Sequence, residues 1–312
     1  MIKLNSLMIK KNKMMKNTCL FLAFAMCLVA NAQIYDNPEE QSVAVSQAAD
    51  DSAQQAAGVS QTTDNAVLQA TGLPQEQEVA SGDVVIPAGQ TEIPDSAYYK
   101  NLEMTSLTIP ASVVKIGQNV VDHCFKLVYI TVDADNPNYK SVGGVVYTKD
   151  GKTLVLCPPG KTGEFVVPAQ AKTLAPYAFR TCKKLTSIVL PDGITEIPDG
   201  AFMGCWGLEK VNLPQGLKRI GKHAFDGTIV QKMNMPTTME FIDDEAFINT
   251  SLVEVNLRVT QPFELGEDVF GEIYVTRLNV PAAGLQNFKK HPKWGKFGRI
   301  TPTHSYWTVK LP

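Results

Sequence analysis

Two short markers recur in step along this chain, about 23 residues apart. The first is an apolar residue followed by proline: Ile86-Pro87, Ile109-Pro110, Val167-Pro168, Leu190-Pro191, Leu213-Pro214, Met235-Pro236 and Val280-Pro281. The second is a small residue followed by an aromatic: Ala97-Tyr98, Ala178-Phe179, Ala201-Phe202, Ala224-Phe225, Ala246-Phe247 and Val269-Phe270. With Val120 as a degenerate member, the small residues are 23, 58, 23, 23, 22 and 23 apart. A single globular core does not impose such a period. It signals one supersecondary unit stacked many times, each copy burying the apolar face of its neighbour. The expected shape is long, curved and rich in surface, which favours binding over catalysis.

One repeat shows how the unit folds. In the run from Leu185 to Pro191, Leu185, Ile188 and Leu190 are apolar, and the last two alternate with other residues as a short strand requires. The frame recurs at Leu208, Val211 and Leu213, at Val230, Met233 and Met235, at Leu252, Val255 and Leu257, and at Val275, Leu278 and Val280. Earlier copies are Met104, Leu107 and Ile109, and Leu127, Ile130 and Val132. Proline ends the strand because it has no N–H to continue a ladder. Ile194 and Ile197 then turn inward, Pro198-Asp199-Gly200 reverses the chain, and Ala201-Phe202 begins an irregular turn. Phe202, Phe225, Phe247 and Phe270 are expected to stack as an interior spine. Nine strand-like units fall between Val84 and Val280.

The 58-residue interval departs from the period. Asn136-Pro137-Asn138-Tyr139 is followed by the β-prone run Val145 to Leu156, with Asp150-Gly151 inside it as a hairpin signal. The insert, residues 133–162, is expected to project as a hairpin in place of one aromatic turn.

The ends differ from the middle. Lys3, Lys10, Lys11, Lys13 and Lys16 precede an apolar stretch from Cys19 to Ala30 and the small-x-small site Ala30-Asn31-Ala32. Residues 1–32 therefore read as an export signal, with lipidation at Cys27 and a retained membrane anchor as weaker alternatives. Removing those five lysines takes the formal charge from −2 to −7. Residues 33–81 hold eight acids and no Lys or Arg, and read as a disordered acidic tether. The remainder is close to neutral, which argues against a polyanion as the obligatory partner. Residues 82–281 form the repeat region, and 282–312 a C-terminal cap and tail built around Leu285, Phe288 and Trp294. The tail's five Lys and one Arg, interleaved with aromatics, fit a solvated capping face better than a nucleic-acid patch in an exported chain.

The best copies, Leu185 to Cys205 and Leu208 to Phe225, resemble the BspA-like branch of leucine-rich repeat proteins. So do the insert from Asp135 to Gly163 and the closing Val280-Pro281 with Trp294 and Phe297. The resemblance covers residues 84–300. It implies a leucine-rich repeat solenoid of short parallel strands with irregular or short helical convex turns. It also implies export, relatives being exported or surface-displayed by bacteria and protists and some being adhesins; for this chain the cell surface, secretion and the periplasm are all open. No binding residue carries over from it.

Chemistry is sparse. There is no Cys-x-x-Cys, no His-Glu-x-x-His, no nucleophile elbow, no phosphate loop and no dinucleotide fingerprint. Asp133, Asp135 and Asn136 lack the glycine and glutamate of a calcium loop. No cofactor or metal is expected. Cys124, Cys182 and Cys205 share one frame position and are expected as buried free thiols, with Cys157 unassigned. His223 is expected as an exposed spacer beside a turn. The outward strand positions are more informative, because they share one sheet face. Asn212, Asn234, Asn256 and Asn279 make one row, and Ser187, Lys210, Lys232, Glu254 and Arg277 run beside it. Such a stripe binds an extended protein or glycan by many modest hydrogen bonds, or is the ordinary polarity of a wet sheet. The expected function is an exported binding or adhesion module rather than an enzyme. A structural envelope or matrix role and a polysaccharide-acting enzyme are the alternatives.

Overall fold

The structure is a computed structural model that describes residues 82–271 and 276–303, all within one compact unit, Gln75–Pro312. The expected export signal (1–32), tether (33–81) and final residues (304–312) lie outside the described residues.

The chain winds as stacked coils. Coil 1 carries β1 (Asp83–Val85) and β2 (Glu92–Ile93), and coil 2 carries β3 (Ser106–Ile109) and β4 (Lys115–Ile116). Coil 3 starts with β5 (Tyr129–Val132) and continues through β6 (Tyr139–Val142), β7 (Val145–Thr148) and β8 (Thr153–Leu156). Coils 4 to 8 return to the two-strand form: β9 (Thr162–Val166) and β10 (Thr173–Leu174), β11 (Lys184–Val189) and β12 (Glu196–Ile197), β13 (Lys210–Asn212) and β14 (Arg219–Ile220), β15 (Lys232–Asn234) and β16 (Phe241–Ile242), β17 (Glu254–Asn256) and β18 (Glu264–Leu265). Coil 9 opens with β19 (Arg277–Pro281) and passes into a 3-10 turn, the short helix α1 (Leu285–Lys290), a second 3-10 turn (Trp294–Lys296) and β20 (Arg299–Thr303). The nine repeat strands read from the sequence are β1, β3, β5, β9, β11, β13, β15, β17 and β19. These first-row strands pair in parallel within three groups, β1-β3-β5, β9-β11-β13 and β15-β17-β19-β20.

The spine forms as read, from coil 4 onward. Phe179, Phe202, Phe225, Phe247 and Phe270 follow one another at centroid separations of 5.4, 5.2, 4.9 and 5.5 Å. Each Phe turn passes its backbone N–H groups to the next coil. Tyr177, Phe179 and Thr181 donate to the carbonyls of Asp199, Ala201 and Met203, and Gly200, Phe202 and Gly204 repeat the pattern to Lys222, Ala224 and Asp226. The conformation that makes this possible is left-handed at two positions four residues apart. Glycine fills both in one coil (Gly200, Gly204), while Asn119 with His123 and Tyr177 with Thr181 carry the same positive φ in others. At the far end Trp294 is fully buried, donates its indole N–H to Phe263 O (2.9 Å) and lies 5.8 Å from the Phe270 ring.

The insert does not project. β6 and β7 pair antiparallel around Gly143-Gly144, and β7 and β8 pair antiparallel around Asp150-Gly151. Val145, Val146, Tyr147 and Leu154 are buried, so this meander is core. The reason is β7, which is apolar on both sides. Val145 and Tyr147 join the core of the later coils, and Val146 joins the core of coils 1 to 3. β8 pairs in parallel with β10 (Thr153↔Thr173, Leu154↔Leu174) and so serves as the second strand of coil 3. The Phe turn is indeed missing from this coil. In its place Cys157 N donates to Ala178 O (2.8 Å), the bond that Phe179 N makes to Ala201 O one coil later.

That omission brings the turns of coils 2 and 4 together. Asp122, almost fully buried, accepts from Arg180 Nε and from Thr181 Oγ1, both at 2.9 Å. His123 Nδ1 lies 2.9 Å from the same carboxylate.

Candidate functional site

The outward face of the first-row strands carries all nine residues singled out from the sequence. In the row nearer the strand starts, Ser187 lies beside Lys210, and Lys232, Glu254 and Arg277 lie side by side. In the next row Asn234, Asn256 and Asn279 are neighbours. Asn212 pairs instead with Val189 of the preceding strand. The ladder is interrupted between β13 and β15, where one repeat is a residue short, so the stripe falls into two groups.

The asparagines bond to one another. Asn256 Nδ2 donates to Asn234 Oδ1 (2.9 Å), Asn279 Nδ2 donates to Asn256 Oδ1 (2.7 Å), and Thr301 Oγ1 donates to Asn279 Oδ1. Asn212 turns onto β11, accepting from Leu190 N (2.6 Å) and donating to Leu190 O (3.0 Å). These amides stiffen the face before any ligand arrives. Glu254 is also committed: Lys232 Nζ lies 2.7 Å from Oε1, and Asn256 Nδ2 donates to the same oxygen at 2.8 Å. The Lys232 ammonium first, and the Asn256 amide next, hold the Glu254 carboxyl below the ordinary carboxylate range. Lys210 and Arg277 make no salt bridge among the described residues.

Register shows members of the face that the sequence reading passed over. Glu164 and Val166 of β9 continue the two rows, as do Arg299 and Thr301 of β20. Tyr129 and Thr131 of β5, one coil before β9, hold the same frame positions. Val166 is 59% exposed and Tyr129 48%, so the N-terminal half of the face mixes apolar side chains with Asp83, Glu164 and hydroxyls, while the C-terminal half is cationic. The shared frame position was the available signal.

The remaining candidates are structural. Cys124, Cys157, Cys182 and Cys205 are buried and unbridged. Burial pushes the Cys124 thiol up to about 12 and raises Cys182 and Cys205 as well, so these are inert groups at neutral pH. His223 is half-buried rather than a free spacer, with Nε2 2.9 Å from Glu245 Oε2. Among the described residues no group of three His, Cys, Asp or Glu side chains is placed to hold a metal ion. A cavity of about 550 Å³ opens beside the last Phe turn, lined by Glu267, Phe270, Lys293 and Lys296 among others. Its Lys293 is fully occupied, donating to the carbonyls of Leu265 and Gly266 and to Glu267.

The stacked coils, the phenylalanine spine and the proline-ended strands set the terms for comparison with known proteins. The family profile described as "BspA type Leucine rich repeat region" matches six copies across residues 79–147 and 161–288. The chain belongs to the BspA-type leucine-rich repeat family. The break in the match falls on β8 and the Cys157-Pro158-Pro159 segment, where this BspA-type chain lacks its aromatic turn. Among solved structures the pneumococcal vaccine antigen PcpA is similar in fold (TM-score 0.52, 18% identity, 71% of this chain and 67% of that one). A leucine-rich repeat protein from Eubacterium ventriosum is similar at TM-score 0.50 and 22% identity, over 73% of this chain and 67% of that one. A comparison with curated proteins gives no match. Among the described residues no helix is long and apolar enough to cross a membrane.

Proposed function

We propose that this BspA-type chain is an exported binding or adhesion module and that its first-row strand face holds an extended protein or glycan. The supporting observation is the register of that face. Side chains from successive strands stand side by side at about one strand spacing, 4.8 Å. The asparagine ladder orders the group from Lys232 to Asn279, and Lys210 and Arg277 make no salt bridge among the described residues, Arg277 standing beside Glu254. A ligand that meets a pre-ordered surface loses less side-chain entropy on its behalf. Export rests on the basic, then apolar, then small-residue pattern of residues 1–32, and display outside the cell accords with the antigen of the same fold. Catalysis is not part of the reading: the one acid on the outward strand stripe singled out from the sequence, Glu254, is bound to Lys232.

The test is binding of the full chain to a panel of matrix proteins, mucins and polysaccharides, beside a Lys210→Glu/Lys232→Glu/Arg277→Glu variant. Saturable binding that weakens at least about ten-fold in the variant, on the order of 1.4 kcal/mol, supports the face as the site. Binding to no member of the panel by a folded chain moves the reading to a structural envelope or matrix role.

A further inference from the structure

A second surface lies away from the strand face, along the edge where each Phe turn hands the chain to the next strand. One frame position there holds Leu102, Phe125, Lys183 and Trp206, with Ile229 on the following coil. Leu102 is 51% exposed and Trp206 50%, and Tyr99 stands beside them at 48%. The side chains form a continuous strip. The Tyr99 ring meets His123 edge-on at 5.4 Å, His123 lies 5.5 Å from Phe125, and Phe125 lies 6.3 Å from Trp206. Phe125 and Trp206 are 81 residues apart and meet because coil 3 has no Phe turn, which lets the Asp122–Arg180 contact draw coil 2 against coil 4. The Trp206 indole rests on the backbone of Gly227, where an added Cβ would sit 3.3 Å from Nε1.

Lysines stand over two rings of the strip. Lys183 Nζ sits 3.7 Å from the Phe125 centroid, and Lys100 Nζ 5.1 Å from that of Tyr99. Neither, nor Lys184, makes a salt bridge among the described residues. Of the nearby acids, Asp122 is paired with Arg180 and Thr181 and Glu103 with Lys126, while Asp226 accepts from the Asn249 amide and lies beside His223.

We propose that this edge strip binds a uronic-acid polysaccharide. The C–H face of a pyranose ring is apolar and packs on an aromatic face, and the carboxylate at the ring's edge meets a lysine. Tyr99 on coil 1 and Trp206 on coil 5 present the exposed rings, with His123 and Phe125 of coil 2 between them, so a polysaccharide lying along the coil axis meets an aromatic at each end of the strip. A second copy of this chain is a poor occupant, since a two-fold contact through this strip would bring the lysines of one copy, Lys100, Lys183 and Lys184, close to those of the other. The site is distinct from the strand face, so it stands or falls separately from the reading above.

The experiment measures binding of the full chain to polygalacturonate oligomers, with the methyl-esterified form as neutral counterpart, and dextran sulfate and polyglutamate as polyanions without uronic acid. Variants are Trp206→Ala, Tyr99→Ser and Lys183→Gln, with Lys210→Glu/Arg277→Glu as the strand-face control and unfolding midpoints measured for each. The expected result is saturable binding to polygalacturonate, weakened about ten-fold by Trp206→Ala, about 1.4 kcal/mol. Weaker losses are expected from Tyr99→Ser and Lys183→Gln, and none from the strand-face control. If Trp206→Ala does not fold, the Tyr99 and Lys183 variants make the same discrimination. No binding, equal binding of the ester, tighter binding of dextran sulfate or polyglutamate, or insensitivity to all three strip variants would overturn the proposal. Loss only in the strand-face control would return the ligand to that face.

Discussion

Glu254 illustrates how a single side chain on an exposed sheet is fixed by its neighbours. Its carboxylate takes Lys232 from one strand and Asn256 from its own, and its pKa is held down by both. A group depressed in the folded state contributes stability above its unfolded pKa and loses it as pH falls through the folded value. Glu254→Gln should therefore be less stable than the parent at pH 7 by up to about 1 kcal/mol, the range of a partly exposed pair. The difference should close below about pH 4 and shrink in high salt. Urea unfolding across pH checks this; a gap that persists at pH 3 would mean packing rather than charge is responsible. The alternation of Lys232, Met233 and Asn234 was enough to put Glu254 and Asn256 on one outward face from sequence alone. Their bonding was not legible, because periodicity assigns a side chain to a face and says nothing of which donor its neighbour will use.

Among the elements, β7 departs most from expectation. A run such as Val145-Val146-Tyr147 satisfies both a projecting hairpin and a buried wall, and only the presence of apolar neighbours on both sides decides between them. The Gly143-Gly144 pair that turns β6 into β7 is as much a turn signal in the sequence as Asp150-Gly151. Gly144 sits at φ +79, and a Cβ there would lie 2.6 Å from Tyr129 Cδ2. Gly144→Val should cost at least about 1–2 kcal/mol from backbone conformation alone, with displacement of the Tyr129 ring in addition. Urea unfolding reads the loss. A neutral result would show that the hairpin tip can shift without disturbing β5. The regular coils were legible down to individual residues, because the Phe, Pro and Leu positions recur in every copy and a stacked core admits few alternatives. Coil 3 has no second copy in the chain to be compared with.

At the level of the whole repeat unit, the core is divided. One apolar cluster serves coils 1 to 3 and another runs from the insert to Phe297, with β7 between them. Solenoid stability is close to a sum of coil and interface contributions, so a weak interface lets one side open alone. Asp122, reaching across the missing turn to Arg180 and Thr181, links the two sides. Removing one partner of a buried pair is costly, about 3 kcal/mol. Asp122→Ala should therefore speed amide exchange across residues 82–132 far more than across 165–300, and separate a single unfolding transition into two. Uniform acceleration throughout would show that the wall, not the carboxylate, couples the halves.

The backbone bonds between Phe turns all run one way, each coil donating toward its C-terminal neighbour. A stack built this way is a vector, with a head that offers carbonyls and a tail that offers amides. Copying or excising a whole coil preserves the match between them, so chain length is free to drift by gene-level duplication without repair at the seams. The contact between coils 2 and 4 shows the tolerance: where the register is interrupted, His123 N finds Thr181 Oγ1 in place of a carbonyl.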